Sequence, residues 1–237
     1  MGFTDFQQIK QLFTGRFLSE PAVIYDKLVK IKAYVFDWDG VFNSGEKNES
    51  GSSPYNEIDS MGINMLRFNH FLRMGHNPLV AVISGEKNTS AFTLAKREHF
   101  HSVYYKMKNK SEALAHLCKA HNIEPHEVAF FFDDVLDLSI AGVCGLRIMI
   151  GHDCNPMFQN LVKEQNLADY ITRNSGGNNA LREAVELLMG LTGRFDETIM
   201  QRVHFSDDYR EYLYARNIPD TVHYTSVEPN IIERSPQ

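Results

Sequence analysis

No apolar stretch in the 237 residues approaches the ~20 that a helix needs to cross a bilayer, and the N-terminus has no apolar core of the signal-peptide kind. Lysine and arginine are nowhere concentrated and the formal net charge is −6. The basic surface that nucleic-acid binding demands is therefore missing. Cysteine is sparse: Cys118, Cys144 and Cys154 lack metal-type spacing and cannot all pair within one chain. They read as reduced thiols in a cytoplasmic protein. The ten histidines are scattered. His99-Phe100-His101 and His152-Asp153-Cys154 lack the further ligands of a zinc site and read as surface or packing residues. What is present is a soluble composition, 43% hydrophobic and 23% charged, long enough for one large domain or one domain with appendages.

The most informative stretch is Tyr34-Val35-Phe36-Asp37-Trp38-Asp39-Gly40-Val41. A strand buried in a parallel sheet reads as an unbroken apolar run, and such a strand does not itself require two carboxylates at its end. The carboxyl edge of an open α/β sheet is where ligands bind, so Asp37 and Asp39 suggest a cation and chemistry there. The alternative from this stretch alone is that they cap the next turn.

Beyond it, apolar strands alternate with amphipathic helices. A helix from Met61 stops at Gly75, and a strand over Leu79–Ser84 is closed by Gly85. A helix at about 89–98 precedes a strand over Ser102–Tyr105, and another helix begins near Ser111. Val128–Phe132 is a strand ending in Asp133-Asp134, with Asp137 beyond. A helix at about 135–143, a strand over Leu146–Ile150, a helix after Pro156 and a strand at Tyr170-Ile171 complete the series. This alternation predicts a three-layer α/β/α, Rossmann-like parallel sheet covered on both faces. The Gly/Ser/Asn-rich segment from Phe42 to Ile58 suggests a small β-hairpin flap, with no large cap domain.

In such a sheet the ends of separate strands lie along one edge, which would gather Asp37, Asp39, Ser84, Lys110, Asp133 and Asp134. Carboxylates suit Mg²⁺, lysine neutralises phosphate as a point charge, and a serine at a strand-to-helix turn donates to a phosphoryl oxygen. Phosphoryl transfer needs mainly such placement and charge compensation.

The order Asp37-Trp38-Asp39-Gly40-Val41, Ser84-Gly85, Lys110, Asp133-Asp134-x-x-Asp137 resembles the haloacid dehalogenase (HAD) superfamily of aspartate-nucleophile phosphatases. Three further stretches are similar to its 3-deoxy-D-manno-octulosonate 8-phosphate phosphatase group: Val41-Phe42-Asn43-Ser44-Gly45, Asp59-Ser60-Met61-Gly62-Ile63, and Thr172 to Gly177 running into Ala180-Leu181-Arg182-Glu183. The resemblance spans about residues 32–190. It implies Asp37 as nucleophile and Asp39 as acid and base. It further implies Mg²⁺ on Asp37, the Asp39 carbonyl and Asp133, with Ser84 and Lys110 on the phosphoryl group, Gly85 beside it, and Asp134 or Asp137 in support. The implied substrate is a small phosphorylated sugar or sugar acid. A homo-oligomer, by the same resemblance a tetramer, is expected because the small flap cannot cover the site and a neighbouring subunit would do so.

Three residues depart from the family pattern. Glu86 follows Gly85 where relatives commonly carry arginine, Phe132 enlarges a position usually small, and Leu136 replaces a polar group. Glu86 would disfavour an anionic sugar acid by ~1 kcal/mol at a solvent-exposed distance of a few Å. Residues 1–31 read as an N-terminal helical extension broken at Pro21, residues 32–190 as the phosphatase domain, and residues 191–237 as a C-terminal helical extension, helix-compatible over 194–216, with a polar tail. Gly176-Gly177 and a helix carrying Leu181, Val185 and Leu188 could serve subunit contacts or simply pack in the core. The alternative function is a catalytically degenerate HAD-fold binding module that keeps its metal site. A phosphomutase is disfavoured because no large cap would retain a bisphosphate intermediate.

Overall fold

The computed structural model describes residues 5–228 and 230–236. In chain order the elements are α1 (Phe6–Leu12), β1 (Arg16–Phe17), α2 (Pro21–Leu28), β2 (Ala33–Phe36), α3 (Glu57–Met74), β3 (Leu79–Ile83), α4 (Thr89–Arg97), β4 (Ser102–Tyr105), α5 (Lys110–His121) and β5 (Val128–Phe132). They continue with α6 (Leu138–Ala141), β6 (Leu146–Met149), α7 (Pro156–Glu164), β7 (Tyr170–Ile171), α8 (Ala180–Leu191), α9 (Phe195–Val203), α10 (Asp207–Arg216), β8 (Val222–Val227) and β9 (Asn230–Glu233). Short 3-10 turns precede β5 and α6.

The strands form one sheet in the order β1-β7-β6-β5-β2-β3-β4-β8-β9, parallel from β7 to β8 and antiparallel at both edges. β2 and β5 are neighbours, and chain progression runs outward from them in opposite directions. Their carboxyl ends mark the topological switch point, where an open α/β sheet has its crevice.

The two-residue period of β2 sorts its side chains between two cores. Tyr34 and Phe36 join Phe131, Ile148 and helices α2, α3 and α8 on one face, while Ala33 and Val35 join Phe130, Phe132 and residues of α5, α6 and α7 on the other. This is the expected three-layer arrangement. Phe132 stacks on Phe130 at 5.6 Å within the second core. Its bulk is absorbed by packing and does not enter the crevice.

Helix ends are set by local chemistry. Asn56, Asn88 and Asn109 cap α3, α4 and α5 by accepting backbone N–H bonds. Pro21 occupies the first turn of α2, where its missing N–H costs nothing. Leu181, Val185 and Leu188 of α8 are fully buried in the first core, which α3 also lines, so they pack within this chain.

The terminal segments differ from the sequence reading in three ways. Between the two N-terminal helices, β1 pairs with β7, a long-range contact too short to show as a period. The helix-compatible stretch over 194–216 is two helices, interrupted where Phe205 adopts φ 51° and Ser206 caps α10. Tyr209 and Tyr212 of α10 still enter the core against Phe68, each ring at 5.1 Å. The polar tail is not a free tail. Val222-His223-Tyr224-Thr225 pairs in parallel register with Ser102–Tyr105, and β9 folds back on β8. Its β-branched and aromatic residues suit a pleated edge despite their polar neighbours. Pro229 lies outside the described residues.

The flap segment also differs. Residues 42–56 contain no paired strand; the chain turns at Asn48, whose Oδ1 accepts from the Ser50 and Ser52 amides. An Asx-type turn satisfies the backbone locally where a ladder would need longer β-prone arms.

Asp169, just before β7, ties the N-terminal segment to the sheet. Its buried carboxylate accepts from Lys27 at 2.5 Å, Ser19 Oγ at 2.7 Å and Arg147 Nη2 at 3.0 Å. Burial alone would raise its pKa, but Arg147 and Lys27 outweigh that and hold it below the ordinary carboxylate value. A depressed folded pKa contributes stability above the unfolded value of about 3.9 and loses it as pH falls through the folded one. Asp169→Ala should therefore cost about 3 kcal/mol at neutral pH, with the difference shrinking below about pH 4; urea unfolding at both pH values measures this.

Candidate active site

The carboxyl ends of β2, β3, β5 and β6, together with the start of α5, enclose a cavity of about 460 Å³. Every residue expected at the site lines it: Asp37, Asp39, Ser84, Gly85, Lys110, Asp133, Asp134 and Asp137. Glu86 and Leu136 line it as well.

Asp37 follows β2 directly, and its amide continues the ladder by donating to Phe131 O at 2.9 Å. Lys110, the first residue of α5, is buried and places its ammonium 2.6 Å from Asp37 Oδ1 and 2.5 Å from Asp137 Oδ1. Asp137 also accepts, more weakly, from the amides of Asp133 and Asp134. Of Asp134 and Asp137, it is Asp137 that contacts Lys110. Asp134 is exposed and caps the short turn before α6.

Asp39 has different company. Its Oδ2 accepts from Lys47 at 2.6 Å and its Oδ1 from Ser53 Oγ at 2.6 Å, both on the flap segment. Ser84 is buried at the end of β3, where its Oγ accepts from the Glu86 amide at 3.3 Å. Turn geometry therefore fixes the hydroxyl in the wall of the cavity.

Sequence reasoning missed His152. It follows β6, the strand beside β5, and its Nε2 lies 3.3 Å from Asp133 Oδ2 and 3.1 Å from Gly40 O. It lines the candidate cavity, which its reading as a surface or packing residue did not anticipate. Its position just beyond a strand of the parallel series was the available signal. The hydrogen bond with Asp133 raises its pKa despite partial burial.

Burial pushes the Asp37 and Asp137 carboxyls up, as it does Asp133, which reaches about 6 with added repulsion from Asp37 and opposition from the His152 hydrogen bond. Burial would lower Lys110, but Asp37 and Asp137 outweigh it and hold the ammonium charged. The partners thus respond differently: Lys110 is stabilised as a cation while Asp37 is driven towards neutrality. One ammonium between two buried carboxylates, with a third beside them, cannot compensate all three charges.

The residues fit a divalent cation. Oxygens of Asp37, Asp133 and Asp137 lie within 4.8 Å of one another. Three ionised carboxylates against one lysine leave a deficit of two positive charges. Asp133 Oδ1 is buried without a hydrogen-bond partner, which is costly unless something binds it. An all-oxygen donor set that admits water is the type Mg²⁺ takes.

Two glycines make the geometry possible. Gly40 adopts φ +81°, and a Cβ there would sit 1.9 Å from Asp133 Oδ2. A Cβ on Gly176 would come within 2.0 Å of Gly40 O, so the glycine pair after β7 buttresses this loop within the chain. Gly40→Ala should displace Asp133 and cost about 1–3 kcal/mol through backbone strain. Any thermal stabilisation by Mg²⁺ should be lost with it, as thermal unfolding with and without the metal would show.

No family model matches the chain. In sequence it is similar to the 3-deoxy-D-manno-octulosonate 8-phosphate phosphatase KdsC of Escherichia coli strain K12, at 27% identity over 186 residues, covering 77% of this chain and 92% of the relative. The Salmonella typhi enzyme of the same name gives 27% over 184 residues, covering 76% and 90%. Among solved structures, the Moraxella catarrhalis 3-deoxy-D-manno-octulosonate 8-phosphate phosphatase, in complex with magnesium, phosphate and KDO, superposes with a TM-score of 0.61 at 26% identity, covering 76% of this chain and 97% of its own. A probable YrbI family phosphatase from Pseudomonas syringae superposes at 0.64 and 27% identity, covering 77% and 98%. The chain is accordingly similar in sequence to the 3-deoxy-D-manno-octulosonate 8-phosphate phosphatases and carries the HAD-like fold that they share.

Proposed function

We propose that the protein is a Mg²⁺-dependent phosphomonoesterase that hydrolyses a small sugar or sugar-acid phosphate through an aspartyl-phosphate on Asp37. The observation that carries this reading is the buried set of Asp37, Asp133 and Asp137 around Lys110 at the switch point of the sheet. Similarity to KdsC enzymes supports both reaction and substrate class.

The carboxylates of Asp37 and Asp133, with the backbone carbonyl of Asp39, would hold Mg²⁺, which when bound neutralises charge on the phosphoryl oxygens. Lys110 fixes the Asp37 carboxylate for attack and adds a positive charge beside the phosphoryl group. Asp37 forms a bond to phosphorus as the bond to the leaving oxygen breaks, and Asp39 gives that oxygen a proton. Asp39 then takes a proton from a water that attacks phosphorus, releasing inorganic phosphate and free Asp37. Both Asp39 oxygens are engaged by Lys47 and Ser53, so acid–base work requires the flap to yield one of them to the substrate. The test is phosphate release from a panel of phosphosugars and an aryl phosphate, with Mg²⁺ and with chelator. Metal-dependent turnover is expected; metal binding with no turnover on the panel would favour the degenerate binding module.

Glu86 bears on the substrate. An anion in the cavity disfavours a negatively charged sugar acid, so Glu86→Arg should raise kcat/KM for a sugar-acid phosphate over a neutral sugar phosphate by about five- to tenfold, the equivalent of ~1 kcal/mol. Steady-state kinetics on the two substrates measures the ratio. The reading includes a homo-oligomer, a tetramer by analogy, in which a neighbouring copy covers the cavity that the exposed segment 44–51 leaves open. A cytoplasmic location accords with three unpaired cysteines.

A further inference from the structure

The carboxyl edge of the sheet holds a second polar cleft, of about 220 Å³, on the side of β3 away from Asp37. Lys87, Tyr105, Lys106, Thr225, Arg234 and Ser235 line it: three cations and three hydroxyls, with no carboxylate among the described lining residues. In a chain of net charge −6, such a grouping departs from the overall balance. Lys108, two residues on, pairs with Glu228 at 3.1 Å, whereas among the described residues no carboxylate lies within ion-pair distance of Lys106 or Arg234.

The backbone at Lys106 adds a second observation. It adopts φ 55°, the left-handed region that residues with a Cβ enter at a cost. Glycine would avoid that cost, so Lys106 is a position at which the cation can be removed without straining the backbone. The walls are held firmly. Thr225 is paired in register with Tyr105, Tyr105 Oη donates to Arg234 O at 3.2 Å, and the Met107 amide donates to Ser84 O at 3.1 Å.

A guanidinium, ammonium groups and hydroxyls around one small cleft match the charge and hydrogen-bonding pattern of a tetrahedral or planar oxyanion. From the inter-strand spacing, the ends of β4 and β8 lie about 10 and 14 Å from the end of β2. The phosphoryl position beside Asp37 and this cleft are therefore separate sites. The loop after β3 joins them, with Glu86 in the first and Lys87 in the second.

We propose that this cleft is a second anion site, which binds a phosphoryl or carboxylate oxyanion distinct from the phosphoryl group placed at Asp37. The anion is either the distal charged group of the substrate or a separate small phosphorylated or carboxylated metabolite. Its binding does not depend on catalysis, so it can be tested without turnover.

Inorganic phosphate is titrated calorimetrically into the full chain in chelator, using wild type, Lys106→Gly and Asp37→Asn. Because φ 55° suits glycine, Lys106→Gly should fold with an unchanged or higher thermal midpoint in phosphate-free buffer. Wild type and Asp37→Asn should bind phosphate with equal affinity, and Lys106→Gly should bind at least about tenfold more weakly. Absence of binding in wild type, equal affinity in Lys106→Gly, or loss of binding in Asp37→Asn would overturn the proposal. Once that result holds, KM separates the sources. A rise for a sugar-acid phosphate but not for a neutral sugar phosphate in Lys106→Gly assigns the site to the substrate, and unchanged values for both assign it to a separate anion.

Discussion

Asp37→Asn should lower kcat for phosphate release by ~10⁴-fold or more and, at the same time, raise the thermal midpoint of the metal-free protein near pH 7.5. The two effects have one cause. In the proposed mechanism the carboxylate is the nucleophile, and an amide cannot form the acyl phosphate. In the metal-free fold, however, Asp37 is a buried charge whose pKa is raised by desolvation and by Asp137, with Lys110 opposing. A carboxyl with a raised folded pKa costs stability when both states are ionised, and that cost disappears below its unfolded pKa of about 3.9. The gain from asparagine should therefore be largest at neutral pH and vanish in acid, with each kcal/mol worth about 2–4 °C in a chain of this size. Calorimetry across that pH range, beside kinetic assays, measures both. A loss of activity accompanied by a falling midpoint at neutral pH would make Asp37 a structural residue.

Lys110→Met should act in the opposite sense on stability. The Lys110 side chain is only 3% exposed and its ammonium is shared between Asp37 and Asp137, so its loss strands two carboxylates. Breaking a buried pair in this way costs about 3–5 kcal/mol. The deficit should be greatest near pH 7.5 and shrink as pH falls and the carboxyls protonate, and Mg²⁺ should restore part of it. Turnover should fall as well, because the phosphoryl group loses its neighbouring cation. Urea unfolding near pH 7.5 and pH 4.5, each with and without Mg²⁺, gives the sign. The stabilising Asp37→Asn and the destabilising Lys110→Met together test whether this pocket contains more negative charge than the chain itself can neutralise. If both variants destabilise equally at every pH, the site is a balanced salt-bridge network.

That these residues share one cavity was legible because they sit immediately beyond apolar runs: Asp37 after Ala33–Phe36, Ser84 after Leu79–Ile83, Asp133 after Val128–Phe132. Strand type and order are encoded locally, and the switch-point rule then brings those ends together. Lys110 was read from its place just before a helix that follows a strand, and it proves to be that helix's first residue. His152 offered the same signal just beyond Leu146–Ile150, but its isolation from other metal-type ligands in the sequence masked it until the pairing of β6 with β5 brought it to Asp133. The partners of Asp39 were also hidden, since Lys47 and Ser53 reach it through a turn that residue type does not specify. The edge strands β1, β8 and β9 are short or mixed in polarity and owe their form to partners far away in the chain. Phe132 was misleading in a different way: strand alternation turns it into the core, so its size says nothing about the substrate.

Quenching the protein during Mg²⁺-dependent turnover and reducing the acyl phosphate with tritiated borohydride tests the covalent intermediate most directly. The mechanism predicts tritium on one peptide, at residue 37 converted to homoserine, with no such label in chelator. Label on another residue, or phosphate release that continues undiminished in Asp37→Asn, would contradict it.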